Sequence, residues 1–232
     1  MTSRAFRERL TRRARAAGLQ VQPDIVVALE TYFGLLTLWN RKVNLTALPL
    51  EEPTDETFDR LFIEPLAAAR VVDDSWTPWI DVGSGGGSPA VPLKLVRPLL
   101  DLTLVESKAR KAAFLREVVR ELGLIRTSVE TSRFEELASR VKAEASTGLL
   151  TIRAVRLEPK LVKSMARMLR PGGRLLTFQP SPSTAVLDGF RAPSSTILHV
   201  SRSRPMYLIS YERASEAGDG VFHVEHTERT NR

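Results

Sequence analysis

No cysteine occurs among the 232 residues. This excludes a disulfide framework, thiolate zinc sites and any mechanism that starts from a cysteine nucleophile, and it fits a reducing, cytoplasmic setting. Histidine is nearly as scarce: His199, His223 and His226 lie outside every strand-end motif and have no partner cluster, so no metal site is expected. Apolar runs such as Phe33 to Trp39 are far too short to cross a bilayer, so no membrane partner is expected. No internal repeat or low-complexity block is visible either.

With 43% hydrophobic and 26% charged residues, the composition is that of a soluble globular protein. The length suits one α/β domain, alone or with a small appendage. A net charge of +7 and a pI near 10.1 point to a polyanionic partner. Much of the excess lies at the start, where Arg4, Arg7, Arg9, Arg12, Arg13 and Arg15 face only Glu8. An Arg-rich, acid-poor opening is also the make-up of an organelle transit peptide. Phe6, Leu10 and Ala14 recur at helical spacing with no cleavage-like boundary before Gly18, which favours a retained basic helix.

Residues 1–70 read as a helical N-terminal extension, with Ile25, Leu29, Phe33, Leu36 and Trp39 marking a helix that starts near Pro23-Asp24. The stretch from Leu48 to Thr57 reads as a loop. Residues 71–214 form the main domain, and 215–232 read as a flexible tail. Strands are expected at Trp79–Val82, Leu102–Glu106, Ser128–Glu130, Leu149–Ile152 and Arg174–Phe178, alternating with helices. One of these carries Leu115, Val118, Val119 and Leu122 and stops at Gly123; another carries Met165, Met168 and Leu169 and closes at Pro171-Gly172-Gly173. Such alternation predicts an α/β fold with a doubly wound, mostly parallel sheet. Thr196–Val200 and Tyr207–Tyr211, joined by a short polar link, predict an antiparallel hairpin at its edge.

The chemistry is concentrated in Trp79-Ile80-Asp81-Val82-Gly83-Ser84-Gly85-Gly86-Gly87-Ser88-Pro89. A strand runs into a turn almost without side chains, where backbone can approach a ligand and a helix N-terminus offers free N–H groups. The second strand ends in Glu106, placed to accept both hydroxyls of an adenosine ribose. The dinucleotide fingerprint requires a third glycine where Ser88 stands. An acid at Asp81 repels a pyrophosphate but can face the amino group of S-adenosylmethionine, which is the cofactor these residues favour. A nicotinamide dehydrogenase is correspondingly disfavoured.

The same residues, with others in order along residues 25–212, resemble the RsmG (GidB) guanine-N7 methyltransferases of bacterial 16S ribosomal RNA. Trp39-Asn40-Arg41-Lys42-Val43-Asn44-Leu45-Thr46 matches W-N-x-K-x-N-L-T, and Asp81–Leu93 is similar to D-V-G-S-G-x-G-x-P-x-x-P-L. Glu106-Ser107 to Lys111 with Phe114-Leu115, Arg133-Phe134-Glu135-Glu136, Thr151-Ile152-Arg153-Ala154-Val155 and Leu169–Leu176 each resemble further family segments. The resemblance implies a class I, Rossmann-like methyltransferase. Gly83 and Ser88, within a loop that includes Ser84, Gly85 and Gly87, would contact the methionine part of the cofactor. Glu106 and Ser107 would lie at the ribose, Phe134 and Glu135 at the adenine, and Arg153 would line the pocket. Lys108, Arg110, Lys111, Arg41, Lys42 and the N-terminal arginines are the RNA-contact candidates, with 16S rRNA or the small ribosomal subunit as partner and a monomer as the expected state.

Guanine N7 has a lone pair and no proton, so no general base is expected; the lack of cysteine excludes covalent C5-methylation of a pyrimidine. Departures from the family pattern fall at Leu61, where a histidine is usual, at Glu64-Pro65 for aspartate-serine, at Gly148 for aspartate, and at Gln179-Pro180 for lysine-glycine. These positions are expected near the rim and substrate face. They leave open a methyltransferase for another RNA or a small molecule, or a non-catalytic ribosome-associated factor.

Overall fold

The computed structural model describes residues 1–140, 146–198 and 205–215. Helix α1 (Ser3–Ala16) begins where the Thr2 hydroxyl accepts from the Ala5 N–H, and it buries Phe6, Leu10 and Ala14. Helix α2 (Pro23–Val43) starts on a proline suited to the first turn and ends at Asn44, which is left-handed at φ 47°. The expected loop after it is shorter than read. Thr54 and Thr57 form a reciprocal cap that starts α3 (Asp55–Phe58), so the loop ends at Thr54. A π-helical turn at Asp59–Ile63 then leads directly into α4 (Glu64–Ala68). Phe6, Phe33, Phe58 and Phe62 pack together, with Phe6 and Phe58 centroids 5.2 Å apart.

Beyond a short 3₁₀ turn at Asp74–Trp76 the chain alternates strand and helix. The order is β1 (Trp79–Val82), α5 (Ala90–Val96), β2 (Leu102–Val105), α6 (Ala109–Glu121), β3 (Thr127–Glu130), α7 (Phe134–Arg140), β4 (Thr147–Ile152), α8 (Pro159–Met168), β5 (Leu169–Gln179), β6 (Ser194–Leu198) and β7 (Met206–Glu212). They form one seven-stranded sheet ordered β3-β2-β1-β4-β5-β7-β6. The first five strands are parallel, and β7 runs antiparallel between β5 and the outer strand β6. The expected doubly wound sheet with an antiparallel edge hairpin is therefore present. His199, Val200 and the residues from Glu216 onward lie outside the described residues, so the expected tail and two of its histidines are not described.

Two apolar layers sandwich the sheet. On one face α1 to α6 share a core with Trp79, Leu102, Leu104 and Leu149, so the N-terminal helices cover the sheet directly. On the other, α7 and α8 pack on Ile80, Val82, Leu150 and Ile152. One helix end was misread: Leu169 is extended (ψ 134°), so α8 stops at Met168, and Pro171-Gly172-Gly173 falls inside β5. Leu169 pairs with Thr147 in the sheet, which outweighs the apolar spacing that attached it to the helix.

Candidate active site

Strand β1 lies between β2 and β4, so the chain reverses direction across the sheet at its carboxyl end, where a crevice forms. The loop Gly83–Ser88 enters it. Gly83 and Ser84 donate to the Val105 carbonyl at 2.9 and 3.0 Å, tying the loop to β2. Gly83 has φ +72°, and a Cβ there would lie 2.9 Å from Val155 Cγ2; Gly87 has φ +90° and would meet Val91 Cγ2 at 2.9 Å. Neither position accommodates a side chain without strain. The cleft measures about 520 Å³, within the range of small-molecule sites. Its walls are the glycine loop, Arg153-Ala154-Val155 after β4, Arg60 and Leu61 of the π turn, and Leu36 with Leu45 to Leu48 beyond α2.

Glu106, only 7% exposed, accepts from the Gly85 N–H at 3.0 Å with one oxygen and from the Lys108 N–H at 2.8 Å with the other. Each oxygen keeps a further acceptor site. Asp81 lies beneath the glycine loop. It is 2% exposed and its carboxylate accepts from the Thr151 hydroxyl at 2.5 Å, which in turn accepts from Trp79 Nε1 at 2.9 Å. Asp81 thus ties β1 to β4 beneath the loop and is not part of the cleft wall. Burial raises its pKa to about 6, against the lowering influence of Thr151 and Ser84.

Arg153 is held on several sides. Its Nη2 donates to Glu64 at 2.7 Å, its Nη1 donates to the Arg60 carbonyl and to Ser88 Oγ, and the guanidinium lies 4.3 Å from the Phe178 ring centroid. Ser88 also donates to the Arg60 and Leu61 carbonyls at 3.3 and 3.1 Å. The π turn makes these carbonyls available. The Glu64 N–H bonds back to Asp59, and Pro65 has no N–H, so the Arg60 carbonyl lacks its usual helical donor. Burial pushes the Glu64 carboxyl up despite Arg153 beside it, and pushes the Arg153 guanidinium down despite Glu64. The Glu64-Pro65 departure therefore retains a carboxylate and builds the support for Arg153.

Of the residues expected at the cofactor, Gly83, Ser84, Gly85, Ser88 and Arg153 line the cleft, and Gly87 supports the loop from below. Ser107 is exposed at the mouth of β2. Phe134 opens α7, is buried in the core with Ile80 and Val105, and is not part of the cleft wall; Glu135 is half-buried next to it. Gly148 corrects the expectation of a substrate-face position. It lies at the amino end of β4, where a Cβ would come within 2.5 Å of the Trp76 carbonyl oxygen, so packing demands glycine there. Gln179 ends β5, at the carboxyl end of the sheet, and donates to Thr177 at 2.9 Å.

Leu36, Tyr32 and the Arg60 carbonyl carry no functional signal in the sequence. Helical spacing marks the first two only as core, and a backbone acceptor has no side-chain signature. Tyr32 donates to the Gly86 carbonyl at 2.5 Å, and its burial raises its pKa. A signal for Leu45 was present in the Trp39–Thr46 segment: Asn40 Oδ1 accepts from the Leu45 and Thr46 N–H groups at 2.7 and 2.9 Å, turning the chain into the cleft.

The N-terminal arginines offered as RNA contacts are largely committed elsewhere. Arg4 pairs with Glu8, Arg7 with Glu30, Arg9 and Arg12 with Asp55, and Arg13 with Asp59. Arg41 pairs with Glu51. Lys42, Lys108, Arg110 and Lys111 form no ion pair among the described residues.

The sheet order, the glycine-rich loop and the acid ending β2 define a class I S-adenosylmethionine-dependent methyltransferase, and the residues present fit that cofactor. The fold is shared with a mutant of MtNAS solved in complex with S-adenosylmethionine (TM-score 0.52, 14% identity, 81% of this chain and 75% of that one). It is shared also with a predicted O-methyltransferase from Agrobacterium tumefaciens (TM-score 0.51, 16% identity, 67% and 82%). The family model for GidB, rRNA small subunit methyltransferase G, matches residues 25–189, and the chain belongs to that family. It is 38% identical over 167 residues to ribosomal RNA small subunit methyltransferase G of Xanthomonas axonopodis pv. citri, covering 70% of this chain and 74% of the relative. Against the protein of that name from Roseiflexus castenholzii it is 36% identical over 181 residues, covering 78% and 74%. Among the described residues no helix is long and apolar enough to cross a membrane, and no acid–histidine cluster could hold a metal.

Proposed function

We propose that the chain methylates N7 of a guanine in 16S ribosomal RNA, acting as a monomer in the cytoplasm. Family membership over residues 25–189 carries this reading. The cleft supports it independently: its walls contain no Asp, Glu, His, Lys, Tyr or Cys, and its ionisable side chains are Arg60 and Arg153. An arginine stays protonated and cannot serve as a base at neutral pH. Such a wall suits a nucleophile that arrives with a free lone pair and no proton to lose.

S-adenosylmethionine supplies an electrophilic methyl group on a sulfonium sulfur. The protein's own part is then to align and to exclude water, worth about 7–11 kcal/mol when orientation is optimal. The loop Gly83–Ser88 and Arg153 would hold the methionine end and Glu106 the ribose through its remaining acceptor sites; the adenine would lie at the start of α7 beside half-buried Glu135, the Phe134 ring being turned into the core. Arg153, braced by Glu64, Ser88 and the Arg60 carbonyl, keeps a fixed wall beside the reacting centre.

Incubation of labelled cofactor with small subunits, or with 16S rRNA, from a strain lacking the gene is expected to place label on a guanine, located by strand cleavage at N7-methylguanine. Transfer to no RNA, with S-adenosylhomocysteine still bound, would overturn the reading in favour of a non-catalytic factor.

A further inference from the structure

A second cavity of about 640 Å³ lies between the end of α2 and the first turns of α6, lined by Leu38, Trp39, Lys42, Val43, Arg110 and Ala113. It shares no lining residue with the cofactor cleft. Leu38 is 57% exposed, an unusual position for a large apolar side chain on a helix whose other face forms the core. Trp39 is half-buried, its ring steadied against Phe114 at 5.9 Å between centroids. The two polar residues in the lining are both cations, and no acid is present. Lys108 and Lys111, also without ion pairs among the described residues, lie on the same end of α6.

Resting on the reading of the chain as a ribosomal RNA methyltransferase, we infer that this groove receives an unstacked base of the single-stranded RNA next to the target, against Leu38 and Trp39, with the flanking phosphates on Lys42 and Arg110. A π face bounded by an aliphatic wall accepts any base, while two cations without an ion pair among the described residues neutralise the backbone on either side. A protein or a second copy of this chain docking here would have to bury both cations against acids. Five of the six α1 arginines (Arg4, Arg7, Arg9, Arg12 and Arg13) already face acids, which leaves them less available to RNA.

The test uses unmodified 16S rRNA and oligouridine as probes of the full chain. Oligouridine quenches tryptophan fluorescence, and Trp39→Phe, which keeps an aromatic ring against Phe114, removes that quench. Leu38→Glu weakens binding of both RNAs about tenfold, as expected for loss of one stacking site. Lys42→Gln with Arg110→Gln lowers the slope of log affinity against log salt by about 1.4, two single-strand phosphate contacts. Arg4→Gln on α1 leaves the slope unchanged. All variants keep the parent's melting temperature and S-adenosylhomocysteine affinity.

RNA affinity and salt slope equal to the parent's in both groove variants would overturn the proposal. So would a dimer in sedimentation that Leu38→Glu dissociates, which makes the face a self-association surface. These failures are distinct from failure of the rRNA reading, in which the parent itself neither binds nor methylates 16S rRNA.

Discussion

Gly83 and Asp81, two residues apart, contribute in opposite ways: one by having no side chain and the other by burying a charge. Gly83→Ala introduces a Cβ at positive φ and 2.9 Å from Val155 Cγ2. It is expected to cost about 1–2 kcal/mol of stability and to weaken S-adenosylhomocysteine binding at least about tenfold. Calorimetry and thermal melts check both, and a second change, Val155→Ala, should return part of the stability without fully restoring binding. Asp81 binds its proton more tightly in the folded chain, at a pKa of about 6, than in the unfolded one. Between about pH 4 and 6 the native state therefore holds more protons, and stability falls as pH rises through that window. The expected outcome is that Asp81→Asn, which retains an acceptor for Thr151, removes this fall. Denaturant titrations of parent and variant at several pH values measure the difference, and parallel profiles would refute it.

At the scale of elements, α1 acts as a brace. Phe6, Leu10 and Ala14 enter the core, and Arg13 donates to both oxygens of Asp59 at 2.8 and 2.5 Å. Removing residues 1–17 leaves Phe33, Phe58 and Phe62 uncovered and Asp59 buried without that partner. A loss above about 5 kcal/mol is expected from several core side chains and one broken buried ion pair, read as a melting temperature lowered by more than about 10 °C. An α1 that served as a removable targeting segment would leave the melt unchanged. The strands were legible because the central ones are buried on both faces and read as short apolar runs bounded by turns. The glycine loop was legible because its composition is its function. Less legible were the π turn, which depends on Pro65 withholding a donor, and the α8–β5 junction, where sheet pairing overrode helical spacing at Leu169. The setting of Asp81 was less legible for a similar reason: the acid was visible, but its partner Thr151 is 70 residues away in sequence.

At the scale of the whole molecule, the net charge of +7 gives a poor map of the RNA-binding face, since much of the N-terminal excess is spent within the fold. Four cations without an ion pair among the described residues, Lys42, Lys108, Arg110 and Lys111, lie where α2 and α6 meet. Helix α2 also reaches the cofactor loop through the Tyr32 hydroxyl on the Gly86 carbonyl. With Leu36 on the cleft wall, that bond ties the helix bearing the proposed RNA groove to the loop that would hold the cofactor's methionine end. Whatever factor the cofactor product imposes on RNA affinity, RNA must return on the cofactor product. Tyr32→Phe should bring that factor close to one in paired titrations while leaving each ligand able to bind alone. Turnover then couples its two departures: whichever product leaves first, the enzyme's hold on the other changes by that same factor.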